Sequence, residues 1–538
     1  MCRRNRISSS AQPFLAQSAR AHFHGDDSLL NSARQATFSF AILALAALCG
    51  SSCAVPIAPG YQIRSESLAV QFVPPGRNDA SSNSASPDGA SLNDASLRVR
   101  AEYALLNSGN SDLKFVDTAL PSRQTFGASS VLVEVDGREV APQELPSTDA
   151  PTGQEAFRIA LDPAWEQKQA RRLNIEYMLS SPADSGARIT LGADNFHLGS
   201  RGWFPVLEPP KHILSSTPKR PKQFDYTVRV PASFLIIAAG RQAKRKSDGD
   251  EIEYRFAMEK EDLNPYVVAG KYTKSPGKHK QDEAIFWTLQ PLKDAPAQAQ
   301  GTIEAIWESL QKEFGPLDAR APGKNPRGPY IIEAPTLRGH YPGEIPDQSG
   351  AAAASFPNGA IVNSSALAPG TGSGAFTEII SHAFAHDWFG DEIYPAPESA
   401  LGLGEGLPEY ATIMVDEDLH GEDARRASVQ QFLHEYDDAR RLAPEKPLIA
   451  TMLTDPAGPR RIALAKAPLF FIALEDACGK TAMQGGLARM VTLLRGQDAD
   501  YNSLRSALEE SSGKNLATIF RAWLNDTDIP ADFRARYQ

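Results

Sequence analysis

The chain is poor in cysteine. Among 538 residues only Cys2, Cys49, Cys53 and Cys478 occur, three near the start and one alone. Neither a disulfide framework nor a cysteine-based zinc site can be assembled from them, and Cys478 reads as a small buried apolar residue. Positive charge is not in excess either. Lys and Arg total 55 against 65 Asp and Glu, a net charge of −10, which argues against nucleic acid as a partner. Long apolar runs are also lacking. "FSFAILALAALC", Phe38 to Cys49, falls well short of the ~20 residues a membrane helix needs, and nothing later reads as a span. There is no internal repeat.

What the start does hold is the layout of an export signal. Arg3, Arg4, Arg6, Arg20 and Arg34 precede the apolar run, and "GSSCAVPIAPG" follows it. A basic stretch, a short apolar segment and small residues suit a secretory leader. Cys53 after Gly50-Ser51-Ser52 resembles a bacterial lipoprotein cleavage site, although Gly50 stands where leucine is usual. Lipidation at Cys53 and simple cleavage near Ser52 both stay open. Residues 1–60 are assigned to signal and linker. The mature chain is expected in the bacterial cell envelope, periplasmic or lipid-anchored, with that anchor as its only membrane contact.

The rest is 42% hydrophobic and 22% charged over the whole chain, ordinary globular values for a multidomain length. Residues 61–275 read as β. "LAVQFV" and "VLVEVDGREV" alternate apolar and polar side chains, and Asp136-Gly137 is a two-residue hairpin turn. "RLNIEYML", "ARITLGA", "FDYTVRVP" and "EIEYRFAM" follow at short spacing, so an antiparallel sandwich or saddle is expected. Residues 77–96 have almost no bulky apolar side chain and read as a flexible loop within that domain. From 276 to 538 the period changes. Ile303, Ile306, Trp307, Leu310 and Phe314 form an amphipathic stripe stopped by Gly315-Pro316, with Trp307 in the core. Helical periods dominate from about 373, and Leu516, Ile519, Phe520, Trp523 and Leu524 form a last stripe.

The chemistry lies in "SHAFAHDWFGD", Ser381 to Asp391. His382 and His386, four apart, put two imidazoles on one helix face, half of a zinc coordination set. Ten histidines in this length would yield roughly 0.2 such pairs by chance, so the spacing alone is weak and the flanks must decide.

Those flanks resemble the aminopeptidase N family of zinc aminopeptidases, the gluzincins. That family reads H-E-x-x-H-x-W-F-G-N and has a ligand glutamate inside L-W-L-N-E-G-F-A-E-Y, with eighteen residues between the second histidine and that glutamate. This chain has His382, Ala383, His386, Trp388, Phe389, Gly390 and Asp391, and then Glu405, Gly406, Glu409 and Tyr410, with eighteen residues between His386 and Glu405. "GWFPVL" around Trp203, "FDYTVRVP", "LNPYVVAGKY" and "LATIFRAWLNDTDIP" are similar to further family segments in the same order, so the resemblance covers roughly residues 61–538. It implies a β domain followed by a thermolysin-like zinc peptidase-type domain. It also implies one Zn2+ held by His382, His386 and Glu405, and peptides or polypeptide N-termini as partners. Pro408 fits this if Glu405 opens its helix, where the first N–H groups need no partner.

The same comparison exposes losses. The family's general-base glutamate is here Ala383, whose methyl group can move no proton; losing such a base typically costs about 10²–10⁴-fold. The family's G-A-M-E-N strand binds the substrate backbone, and its glutamate holds the α-amine. The matching run "SGAAAASFPNGAIV" sets Ala353 at the glutamate and Ala354 at the asparagine, within a residue or two. The family's Tyr-x-Lys-Gly, whose phenol serves the oxyanion, becomes Leu464, Lys466 and Ala467; one such donor is typically worth about 10²–10³-fold. Glu378, one turn before His382, is a candidate replacement acid or a partner for a histidine N–H, and Asp387 follows the second histidine; a solvated helix carboxylate is the plainer reading of each. Three functions follow in order. The first is a zinc-binding peptidase homologue with weak or no peptidase activity. The second is an active metallopeptidase with a relocated acid. The third is a metal-free structural envelope protein.

Overall fold

The computed structural model describes residues 60–75, 95–146, 153–180, 189–199, 202–207, 224–258, 265–274, 284–289, 295–317, 329–335, 337, 353–367, 374–452 and 455–538. The leader and Cys53 lie outside these residues, as does most of the loop expected at 77–96. That loop was set slightly too long: Ala95 is buried, and Ser96 already opens a strand, paired with Val73.

Alternation does build the expected strands. In Phe224–Pro231 the side chains of Phe224, Tyr226, Val228 and Val230 are buried and those between them half-buried, as a sheet with one face on a core requires. An eight-stranded sheet runs from Arg241–Asp248 through Glu251–Met258, Phe224–Pro231, Tyr61–Val73, Ser96–Asn107, Ala170–Leu179 and Ser129–Val135 to Arg138–Glu139. Asp136 and Gly137 join the last two strands at φ 51° and 79°, the left-handed pair that a tight hairpin needs. One neighbour pair departs from the antiparallel expectation. Tyr61–Val73 lies parallel to Phe224–Pro231, and each strand has an antiparallel partner on its other side. Two four-stranded sheets complete this half, closing over Trp165, Trp203, Phe196 and Phe72, all at most 1% exposed.

The second half begins with a five-stranded sheet. Its strands are β1 (Thr273–Lys274), β2 (Ile285–Thr288), β3 (Tyr330–Glu333), β4 (Ala353–Phe356) and β5 (Gly359–Val362), in the order β1-β2-β3-β5-β4. β2, β3 and β5 are parallel, while β4 runs antiparallel to β5 at the edge. Both faces are dry. Phe286, Ile331, Ala353, Ala360 and Val362 enter the helical core, whereas Ile285, Trp287, Ile332, Ala354 and Phe356 enter the β core. Sheets with parallel strands buried on both sides read as continuous apolar runs, which is why "IFWT" and "YIIE" lack alternation.

Among the described residues the α-helices of this half are α1 (Ala295–Phe314), α2 (Gly374–Ala385), α3 (Leu407–His420), α4 (Glu422–Leu442), α5 (Ala457–Cys478), α6 (Lys480–Leu494), α7 (Tyr501–Ser512), α8 (Ala517–Leu524) and α9 (Ala531–Tyr537). α1 ends where expected, at Gly315 with φ 83°, and Trp307 packs edge-on to Phe384. Among the described residues no helix is long and apolar enough to cross a membrane.

A polar network crosses this helical core. The Tyr410 hydroxyl on α3 lies 3.0 Å from Glu313 Oε1 and 2.8 Å from Glu475 Oε2. A phenol has one proton to give, so one of the two carboxyl groups must supply its own. Glu475 accepts a hydrogen bond from Arg425, 2.9 Å away. Glu313, bonded by Gln484 at 2.9 Å, is the protonated partner: burial, helped by the nearby Glu475 charge, lifts its pKa from 4.5 to about 7. A carboxyl raised on folding favours the fold at low pH. Its contribution is complete below about pH 4.5, is lost as pH rises through about 7, and totals on the order of 3 kcal/mol. Urea melts across pH 5–8 should show this decline, and Glu313→Gln should flatten it.

Candidate metal centre

The two histidines come together as their spacing requires. His382 lies in the last turn of α2, and His386 directly follows that helix. Their Nε2 atoms are 3.0 Å apart. The end of α2 is pinned by Trp388, fully buried, whose indole N–H donates to the Gly315 carbonyl at 2.9 Å.

Glu405 reaches the same point from the opposite side. It does not open its helix. Gly402–Gly406 form a π-turn, with the Leu407 N–H bonded to the Gly402 carbonyl, and α3 continues from it. The wider i→i+5 ring inserts one extra residue, so Pro408 follows a turn whose bonding frame has already shifted. Glycine is needed for the turn to nest. A Cβ on Gly402 would lie 2.0 Å from the Tyr501 hydroxyl, and one on Gly406 would lie 2.5 Å from Ala467 Cβ.

Glu405 Oε2 stands 3.6 Å from His382 Nε2 and 3.7 Å from His386 Nε2. It is buried with no hydrogen-bond partner. Three ligands of a tetrahedral zinc, at ~2.0–2.1 Å from the ion, sit ~3.3 Å from one another. The observed triangle of 3.0, 3.6 and 3.7 Å is close to that size. Its chemistry agrees. Two ring nitrogens face each other with one orphaned carboxylate oxygen, an arrangement that a shared cation satisfies. Burial alone would lower the His382 pKa, but Glu409 and Glu405 outweigh it and lift it to about 10, so the pocket favours positive charge. The three residues fit one zinc ion.

One functional side chain lacked a role in the sequence reading. Glu409 Oε1 lies 3.2 Å from His382 Nδ1, the nitrogen away from the triangle. A carboxylate there fixes the ring's tautomer and orientation. The available signal was its i+4 spacing from Glu405, which puts both acids on one side of the chain.

The remaining candidates separate. Ala383 is fully buried in the helical core. Glu378 is exposed on α2, whereas the triangle is buried or nearly so. Asp387 is not a solvated carboxylate: it is 2% exposed and accepts the Gly359 N–H at 3.0 Å. Ala353 and Ala354 both lie on edge strand β4, which packs against α2. Leu464 is half-buried on α5, one turn before Ala467, which touches the π-turn. Lys466 is fully buried and bridges Glu445 and the Asp526 carbonyl, both at 2.8 Å, so it ties α5 to the C-terminal segment.

Two histidines a turn apart on one helix, met by a glutamate from the next, define a gluzincin-type zinc centre. Residues 358–523 match the family model described as Peptidase family M1 domain. Solved structures give the same architecture. An M1 zinc metallopeptidase from Deinococcus radiodurans aligns at 15% identity and TM-score 0.55, covering 88% of this chain and 96% of that one. A glutamate-to-alanine mutant of the M1 zinc metallopeptidase from that organism aligns at 16% and 0.56, with the same coverage. The mutant bound to a Tyr-Ser-Ala substrate aligns at 17% and 0.54, again with the same coverage. Among curated proteins none matches this chain. The chain thus carries a peptidase family M1 domain on the β-plus-helical, two-domain fold of the aminopeptidase N-like gluzincins.

Proposed function

We propose that this protein is a zinc-binding M1 peptidase homologue that holds extended peptides and hydrolyses them weakly or not at all. The observation that carries this reading is a retained ligand triangle in which the residue following His382 is Ala383, which cannot move a proton. Zn2+, when bound, would polarise a peptide carbonyl and acidify a water. A carboxylate would still have to take that water's proton, and three nearby acids are poorly placed for it. Glu378 faces solvent, Asp387 is committed to a backbone N–H, and Glu409 sits behind His382. Edge strand β4 offers backbone groups to which an extended peptide can add as a further strand. The mutant relative bound to Tyr-Ser-Ala supports peptide retention after a glutamate-to-alanine change. Ala353 and Ala354 supply no charge for a terminal ammonium, so internal segments should bind about as well as free N-termini. The sequence of the leader supports export to the cell envelope, either free in the periplasm or anchored by a lipid at Cys53.

Metal analysis and equilibrium dialysis of the mature chain test this. One zinc per chain and Tyr-Ser-Ala binding that is lost on chelation are expected; a metal-free chain with no affinity for the tripeptide would support the structural reading instead. Ala383→Glu is expected to gain little. The new side chain enters a fully buried position, at an overpacking cost of about 1–3 kcal/mol. Leu464 still provides no phenol, a deficit of about 10²–10³-fold. Thermal melts and a tyrosine-release assay on this variant measure both effects.

A further inference from the structure

Asp387 is the unusual acid of this region, because it spends a buried carboxylate on a strand rather than on the metal. We propose that Asp387 is a positioning residue: it locks the β4–β5 hairpin against the turn bearing His386, and so sets edge strand β4 in register beside the metal helix. This deepens the peptide-binding reading and rests on it where peptide affinity is concerned.

The geometry is specific. β4 and β5 are joined by Pro357-Asn358, with Asn358 at φ 63°. Gly359 opens β5, opposite Phe356, and its N–H goes to Asp387 Oδ2. The hairpin is also seated on β3: Gly359 pairs with Tyr330, and a Cβ there would lie 2.1 Å from the Tyr330 carbonyl, so no side chain fits between them. On that side the Asn358 carbonyl accepts the Tyr330 N–H at 2.8 Å. Among the described residues β4 pairs with β5 alone, so its register depends on how this hairpin is held. Burying a carboxyl group with one oxygen, Oδ1, left without a hydrogen bond is unfavourable. A plain turn would not need it, whereas a link between helix end and hairpin does. Asparagine would offer the same acceptor, and alanine would offer none.

The test uses the zinc-loaded full chain with Asp387→Ala and Asp387→Asn. It reads amide exchange over residues 353–362, zinc affinity by chelator competition, and Tyr-Ser-Ala affinity. In the alanine variant the hairpin amides should exchange about tenfold faster or more, and the tripeptide should bind about tenfold more weakly, as expected for a lost buried acceptor. Zinc affinity should stay within about twofold, and asparagine should restore all readouts to within about threefold. Asp387→Ser, too short to reach Gly359, replaces alanine if that variant does not accumulate. Unchanged hairpin exchange would overturn the proposal. So would an asparagine variant as impaired as alanine, or faster exchange spreading through α2 and α3 with loss of zinc. If the unaltered chain binds no tripeptide, the peptide-binding reading falls, and the exchange data still decide the role of Asp387.

Discussion

Glu405→Gln is expected to cost more zinc affinity than the about 10–100-fold typical of losing an outer partner. The carboxylate is the only anionic member of the triangle. Its Oε2 stands 3.6 and 3.7 Å from the two imidazole nitrogens and has no other hydrogen bond. An amide at that place is neutral, and its NH2 end would aim donors at a cation. Glu409→Gln removes only the group behind His382 and should fall within that outer-partner range. Chelator competition at pH 7.5 compares the two. The melt supplies a second readout: a metal that binds only the folded chain raises stability in proportion to its affinity. The unaltered protein should therefore melt higher with zinc, and Glu405→Gln should not. Equal losses in both variants would show that Glu405 is not a ligand.

The second large effect concerns Arg425. Its Nη1 lies 2.9 Å from Glu475 and 3.1 Å from Glu417, and the Arg425 and Glu475 side chains are 9% and 7% exposed. Arg425→Met keeps most of the packing volume and removes the cation. Glu475 would then share the Tyr410 hydroxyl with Glu313 and have no charged partner. Breaking one side of a buried pair typically costs about 3–5 kcal/mol, and denaturant melts should show a loss of that size. The double variant Arg425→Met with Glu475→Leu should recover part of it, since replacing both members of a pair by apolar groups can be nearly neutral. Tyr410 adjoins Glu409, so the weakened core should also loosen the hold on His382.

The metal set was legible because its geometry is local or motif-like. A four-residue step fixes two imidazoles on one helix face, and the eighteen-residue interval brought in Glu405 through the resemblance. Asp136-Gly137 and the stripe through Trp307 were readable for the same reason, since each pattern lies within a few residues. The π-turn was not. Its i→i+5 frame has no composition signal, and it depends on Tyr501, about a hundred residues further on, filling the space beside Gly402. Pro408 was therefore explained by a helix start at Glu405, whereas Glu405 lies inside the π-turn and α3 begins at Leu407, with Pro408 in its first turn. The Glu313–Tyr410–Glu475–Arg425 network joins residues 50 to 97 positions apart, and single-chain patterns carry no information about such pairs. Asp387 was misjudged because its spacing resembles that of any surface acid; burial beside Gly359 makes it structural.

The most direct measurement is release of tyrosine from Tyr-Ser-Ala by the unaltered, zinc-loaded chain, with and without chelator. A retained ligand triangle beside Ala383 predicts bound zinc with release at or near the uncatalysed background. Chelator-sensitive release at the rates of ordinary aminopeptidases would contradict it, and would mean that another acid moves the proton.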